Sequence, residues 1–389
     1  MARKAYLRPL LVLIHRWFGL GSALFLMLAG LTGALIAWDH PLDSSLNPAM
    51  FRHTSVGPER TPLALAAALE AADPRLSVRY MPLAAEPGHT VCMFVDPRPG
   101  QVLDFNQVCL DPVTGAVTGQ RLWGALALDR LHLMPFIYKL HYSLHLPALG
   151  GVEAGIWLMG LVGMLWVVDS LVALVLSFPS WAAWRKSFAF RWREGGYRLQ
   201  FDLHRSGGVW LFPLLLVLAT TSVAMNLGEQ VMKPLVGWFS PLTPSPLLRT
   251  PPVVAIGAPM SRAEAVALAQ AEARQRGWPA PPGGLFHMAP AGVYGIGFFA
   301  PGDDHGDGGL GNAWLYLDDH SGTLVGQVVP GEGSAGDVFM QSMFPLHSGR
   351  ILGLAGQILV SLLGLAVAGL GLTGLIIWAR KRRARRGAA

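Results

Sequence analysis

Charge is scarce in this chain. Asp, Glu, Lys and Arg make up 14% of its 389 residues, while hydrophobic residues make up 52%. Soluble globular proteins carry about 25% charge, so the balance argues against an ordinary soluble domain and for a membrane protein. Cysteine is scarce too. The two present, Cys92 and Cys109, cannot by themselves hold an iron–sulfur cluster, which normally takes four protein ligands. There is no CxxCH, which excludes covalent c-type haem. The GxGxxG match Gly369-Leu370-Gly371-Leu372-Thr373-Gly374 lies inside an apolar run with no strand before it, so it is not a dinucleotide site. No flavin or nicotinamide domain is expected. The net charge is +6, but much of the excess flanks apolar segments, as in the tail Arg380-Lys381-Arg382-Arg383. It does not call for nucleic acid.

What the chain does have is long apolar runs. Four, near 10–38, 152–178, 209–227 and 351–378, are long enough to cross a hydrocarbon core, which takes about 20 helical residues. The competing reading of the first is a cleaved signal peptide. That run is longer than a typical signal core and holds His15-Arg16-Trp17 near its start. Basic residues orient the spans. Arg3, Lys4, Arg8 and Arg16 lie at the amino terminus; Arg185, Lys186, Arg191, Arg193, Arg198 and Arg205 separate the second span from the third; the tail follows the fourth. The expectation is a multi-pass protein of a bacterial inner (plasma) membrane with both termini cytoplasmic. Residues 1–38 are the amino-terminal tail and first span, and 39–151 a periplasmic segment. Residues 152–178 are the second span, 179–208 a cytoplasmic loop and 209–227 the third span. Residues 228–350 are a second periplasmic segment, and 351–389 the fourth span with its basic tail.

The two halves resemble each other. His15-Arg16-Trp17-Phe18-Gly19 aligns with His204-Arg205-Ser206-Gly207-Gly208, and Leu140-His141-Tyr142-Ser143 with Leu346-His347-Ser348-Gly349. Each outer segment has an alanine-rich, helix-like run (61–72 and 261–276) and then β-rich stretches ending in a turn phrase, Asp111-Pro112-Val113-Thr114-Gly115 or Asp318-Asp319-His320-Ser321-Gly322. The plan is helix, α+β module, helix, stated twice. Cys92 and Cys109 flank the turn Pro97-Arg98-Pro99-Gly100. Segments 90–95 and 107–110 read as strands paired across it. Cross-strand neighbours are close to disulfide reach, and the periplasm is oxidising, so a disulfide is expected.

The repeat sets four histidines in two pairs by depth. His15 and His204 fall near the cytoplasmic starts of outward-running helices, His141 and His347 at the outer starts of inward-running ones. Each pair can place an imidazole on either face of one porphyrin. Two non-covalent haems are expected, with irons on the order of 20 Å apart. The competing reading leaves these histidines in the wet headgroup zone. A zinc or copper site is a further alternative, since His141 and His145 are four apart and would share a helical face. His145 is also an alternative axial ligand. Arg16, Arg205 and Arg350 lie beside the histidines and can pair with propionates. For Arg16 and Arg205 the cytoplasmic charge bias explains them equally well. Gly30, Gly33, Gly160, Gly163, Gly364, Gly369, Gly371 and Gly374 can make room for a macrocycle or serve close helix packing.

Several of these phrases carry a family resemblance. They are Leu13-Ile14-His15-Arg16-Trp17-Phe18-Gly19-Leu20, Leu140-His141-Tyr142-Ser143-Leu144, Phe201-Asp202-Leu203-His204-Arg205, Pro345-Leu346-His347-Ser348-Gly349-Arg350 and Gly371-Leu372-Thr373-Gly374-Leu375-Ile376-Ile377-Trp378. With the two PepSY-like outer modules, nearly the whole chain resembles the PepSY-associated transmembrane helix family. Within it, the chain is most similar to inner-membrane ferric-siderophore reductases. The resemblance implies an oxidoreductase with two b-type haems and a role in releasing iron from an imported siderophore. No flavin domain is fused here, so the electron donor is expected to be separate, a quinol or a cytoplasmic reductase. Electrons would enter at the inner pair and leave at His141 and His347, which makes these two the expected catalytic residues. Two other functions compete: a membrane-anchored PepSY-type binding or regulatory protein, and a haem-containing electron-transfer subunit for another periplasmic acceptor. A transporter would need a polar path, and apart from Asp169, Thr220 and Thr221 the spans offer little for one.

Overall fold

The computed structural model describes residues 2–178, 180–248 and 258–387. The first half runs α1 (Ala2–Ile36), α2 (Asp39–Leu46), α3 (Pro48–Phe51), α4 (Pro62–Ala72), β1 (Leu76–Pro82), β2 (Val91–Pro97), β3 (Gln107–Leu110), β4 (Val117–Arg121) and α5 (Leu133–Ser143). The two-residue strands β5 (Ala148–Leu149) and β6 (Val152–Glu153) then lead into α6 (Ala154–Ser177). The second half restates the plan with α7 (Gly196–Leu227), α8 (Lys233–Gly237), α9 (Arg262–Gln275), β7 (Pro282–Met288), β8 (Val293–Phe298), β9 (Ala313–Asp318), β10 (Leu324–Val328), α10 (Ala335–Ser348) and α11 (Gly353–Arg386).

Four helical stretches are long and apolar enough to cross a membrane: Leu7–Ile36, Ala154–Ser177, Gly196–Gly237 and Arg350–Arg386. The expected four-span membrane protein with α+β modules is the fold observed. Two boundaries differ. Helix α7 starts at Gly196, so residues 196–208, read above as loop, are helical. Asp202, His204, Arg205 and Ser206 lower the hydropathy there and hide the helix. His141 and His347 do not open the spans that follow them. They lie in the last turns of the separate helices α5 and α10.

The chain divides into two compact units. One comprises Met1–Trp38, Ile137–Leu235 and Met343–Ala389; the other comprises Asp39–Phe136 and Val236–Ser342. In the first, glycines bring backbones together. A Cβ on Gly30 of α1 would lie 2.4 Å from the Gly364 carbonyl oxygen of α11, and one on Gly364 would lie 2.4 Å from that of Gly30. Gly160 of α6 makes room in the same way for Leu227 of α7. This is small-residue packing, which lets helices approach where lipid supplies no hydrophobic drive. The chain reversals after α5 and α10 are equally tight. A Cβ on Gly155 would lie 1.8 Å from the Ser143 carbonyl oxygen, and one on Gly356 1.8 Å from that of Gly349. α5 and α10 therefore each end against a glycine in the first turn of the next span.

In the second unit the two modules are one sheet, ordered β10-β9-β8-β7-β1-β2-β3-β4. Each module is an antiparallel four-stranded meander. The two join edge to edge through antiparallel β1 and β7, with Met81 opposite Leu285. Buried residues of α4 (Leu65, Ala66, Leu69) and α9 (Ala265, Ala269, Ala273) share one core with Leu76, Val78, Met93, Leu285, Ile296 and Leu315 of the strands. Thr61 caps α4 by accepting from the Ala64 N–H, and Ser261 with Glu264 forms a capping box on α9. Cys92 pairs with Cys109 in the β2–β3 register, and the two form the expected disulfide.

One ion pair ties the modules together. The Arg262 guanidinium donates to both carboxylate oxygens of Glu70, at 2.9 and 2.7 Å, and to the Val78 carbonyl at 2.8 Å. The Val78 N–H donates back to Glu70 at 2.8 Å. Burial pushes the Glu70 carboxyl up, but the Arg262 hydrogen bonds, the Val78 N–H and the charges of Arg262 and Arg98 together hold it below its ordinary value of 4.5. A carboxylate with a depressed folded-state pKa stabilises the fold above its unfolded value, and that contribution is lost as pH falls through the folded one. Arg262→Met should therefore destabilise this unit by about 2–3 kcal/mol at neutral pH. Denaturant titration should show the deficit shrinking as pH falls below the ordinary Glu70 value.

Candidate functional site

The four histidines meet in the helical unit as two pairs. The His15 (α1) and His204 (α7) ring centroids are 6.0 Å apart, and those of His141 (α5) and His347 (α10) 6.2 Å apart. All four rings are partly buried. Imidazoles bonded in line to one ion at about 2.0–2.1 Å have centroids roughly 6–6.5 Å apart. Both pairs therefore have the spacing of two axial ligands.

Each ring is held by the same nitrogen. His15 Nδ1 donates to Asp169 of α6, at 2.9 and 3.1 Å from its two oxygens. His204 Nδ1 donates to the Leu370 carbonyl at 3.0 Å, with Thr373 Oγ1 at 3.2 Å. His141 Nδ1 lies 3.0 Å from Thr32 Oγ1, and His347 Nδ1 3.0 Å from Thr221 Oγ1. Those two hydroxyls spend their hydrogens on the Leu28 and Val217 carbonyls of their own helices, so each accepts from the ring. This network assigns the Nδ1–H tautomer at all four sites and leaves Nε2 with the lone pair. A second partner that fixes tautomer and ring angle is the usual support of a metal-ligating histidine.

Glycines shape the same places. A Cβ on Gly33 would lie 3.0 Å from His141 Cε1, and one on Gly374 3.1 Å from His204 Cε1. Gly30, Gly160, Gly364 and Gly371 instead face other helices. The GxGxxG match lies wholly within α11.

The remaining candidates are placed as follows. His145 is outside α5, and it and Leu144 have φ of 54°. The helix ends before it, so the four-residue spacing does not put it on the His141 face, and the zinc or copper reading built on that face is corrected. The Arg205 guanidinium donates to the Lys186 carbonyl at 2.5 Å and stands 3.5 Å from Asp202. Asp202 itself is gripped by Arg191 at 2.7 and 2.8 Å. Arg205 thus braces the segment between α6 and α7. Arg16 follows His15 on α1 and is half-buried. Arg350 begins the short turn Arg350–Leu352 after Gly349, whose φ is 76°. The reading from sequence did not mention Thr32, named Leu370 and Thr373 only within longer phrases, and noted Thr221 and Asp169 only as polar residues within spans. Thr32 and Thr221 stand equally far along the chain from His15 and His204, so the repeat itself held the signal.

The matched histidine phrases and the doubled helix–sheet–helix plan run the length of the molecule. A model of the PepSY-associated TM region family matches residues 12–381. The chain belongs to that family. No curated protein matches it.

In this PepSY-associated protein the donor set fits haem. Two imidazoles supply only two bonds, and a bare ion would need more protein ligands. Among the described residues, neither pair belongs to a cluster of three or more His, Cys, Asp or Glu within metal-ligand range. A porphyrin brings most of its own ligand nitrogens, and His15 with His204, or His141 with His347, would supply the protein's share. Axially, His15 is about 25 Å from Thr32 on α1, and His204 about as far from Thr221 on α7, at 1.5 Å per residue. The pairs are therefore well separated along the bundle.

Thr221→Val should leave the His347 N–H without its acceptor and destabilise the helical unit by about 1–3 kcal/mol. Thr373→Val should cost little, because the Leu370 carbonyl stays in place. Unfolding of the two variants in matched detergent micelles measures the contrast.

Proposed function

We propose that this membrane protein is a two-haem reductase that carries electrons across the bilayer to a ferric siderophore and so releases ferrous iron. The observation that carries the reading is the pair of facing imidazole couples, each ring tethered through Nδ1 from another helix. His15 and His204 would hold one b-type haem, and His141 and His347 the other. Bound haem supplies one-electron transfer. The protein's own part is to fix the rings and to shield them among apolar helices. Arg16 and Arg350 are the proposed propionate partners.

Orientation in a bacterial inner membrane, termini inward, is supported by the basic flanks and by the Cys92–Cys109 disulfide, which suits an oxidising periplasm. The His141/His347 pair then lies on the periplasmic side and is the proposed exit. The His15/His204 pair is the proposed entry, served by a quinol or a cytoplasmic reductase. Siderophore specificity comes from the family resemblance and not from any residue described above. An electron-transfer subunit for another periplasmic acceptor would use the same two pairs. A purely regulatory anchor would leave them without a purpose.

Pyridine haemochrome analysis of protein made with adequate haem should give two haem b per chain, and His204→Ala should lose or spectrally convert one. Finding none would reject the proposal. In stopped-flow mixing with a ferric siderophore, the reduced His347→Ala variant, still holding its other haem, should be oxidised much more slowly than the parent. An unchanged rate would displace the exit site.

The inner pair has one further property. Among the four histidines of the two pairs, His15 alone has a carboxylate partner, Asp169, which is 14% exposed. A negative charge on the ring N–H raises ligand basicity and favours the ferric state. Asp169→Asn should therefore raise the midpoint potential of the haem held by His15 and His204 and leave the other unchanged, as read by redox titration of the two spectra.

A further inference from the structure

The sheet unit contains a cluster of nitrogen and oxygen donors that the haem reading does not use. Asp39 and His40 open α2. Asp304 and His305 stand in the glycine-rich connection between β8 and β9. These segments are remote in sequence, yet the His40 and His305 rings meet edge to face with centroids 5.4 Å apart. One ligand atom from each of His40, Asp304 and His305 lies within 4.8 Å of the others. The Asp39 carboxylate, outside that set, is 3.8 Å from His40 Nε2.

The connection that carries His305 is held in shape. Asp303 accepts from the Asp307 N–H at 2.8 Å, and its carbonyl accepts from Asn312 Nδ2 at 2.6 Å. Gly306, at φ 68°, packs so tightly that a Cβ would lie 2.4 Å from the Gly311 backbone. His305 is therefore presented by a fixed turn. Asp304 Oδ1 and His305 Nδ1 stand 2.6 Å apart, so these two donor atoms already share a hydrogen that an ion bound between them would displace. His40 is the adjustable member, with its side chain 59% exposed. Ligands on one ion at about 2.0–2.2 Å stand roughly 3–3.5 Å apart, so closing the set from within 4.8 Å takes a shift of at most about 1.3–1.8 Å.

Two imidazoles and a carboxylate select a particular class of ion. Magnesium and calcium take oxygen ligands, whereas two histidines with one carboxylate suit divalent first-row transition metals with open positions. We propose that His40, Asp304 and His305, with Asp39 beside them, bind one such ion. Ferrous iron, the product of the reaction proposed above, belongs to this class, but the site does not depend on that reading.

Zinc is the probe, because it binds without redox chemistry. The full-length protein, stripped with chelator and with its haem content measured first, is dialysed against buffered Zn²⁺ and the bound metal counted by mass spectrometry. The parent should take up one chelator-sensitive ion per chain at micromolar free zinc. His40→Ala and His305→Ala should each bind at least about tenfold more weakly, a lower bound set by what losing even an outer-shell partner costs. A His132→Ala control should bind like the parent. Equal haem content across the set separates this result from failure of the haem reading. No stoichiometric uptake by the parent, or undiminished uptake by both variants, overturns the proposal.

Discussion

The helical unit depends on one constraint: a histidine inside it must have its Nδ1–H satisfied from another helix. A buried polar group without a partner costs about 1–3 kcal/mol, and water is scarce where the spans pack. Each ring therefore has an acceptor across a helix interface. α1 holds α5 through Thr32 and His141, and α7 holds α10 through Thr221 and His347. α6 holds α1 through Asp169 and His15, and α11 holds α7 through Leu370 and His204. These four bonds order the bundle and aim the rings together. Neither is separable from the other, and a helix that slipped by one turn would lose both.

The glycine contacts serve the same end. His141 and His347 sit in the last turns of α5 and α10, where a helix end is free to drift. Close backbone approach at Gly155 and Gly356 pins those ends against the following spans. With the ends fixed, a single hydroxyl on α1 or α7 is enough to set the ring.

Much of this was legible in the residues. Apolar length marks all four spans, and alternation about a proline–glycine turn placed Cys92 opposite Cys109. The repeat paired His15 with His204 and His141 with His347, the rings that stand close. Three things were not legible. The acceptors were hidden because a threonine within an apolar helix usually bonds its own backbone, as Thr32 and Thr221 also do; only the fold shows their second partner. The start of α7 was hidden because Asp202 and Arg205 look like a loop until Arg191 is seen paired with Asp202. The single sheet was hidden because a strand pattern does not say which edges meet. β1 and β7 read as strands of separate modules, and their union rests on tertiary contacts such as Arg262 with Glu70.

The repeat also shows where symmetry is broken. At the His141 and His347 sites the two halves use the same residue type, threonine, at matching positions. At the His15 and His204 sites they do not: one half supplies a carboxylate and the other a carbonyl with a hydroxyl nearby. An ionisable group among apolar spans is expensive, and the other three sites show that a neutral acceptor orients an imidazole equally well. Positioning alone therefore does not account for Asp169. What the carboxylate adds is charge at one end of an otherwise matched pair of sites, which favours loss of an electron there over the other end. In the reading proposed above, that bias runs from entry to exit, and a molecule built by doubling one unit gains a direction.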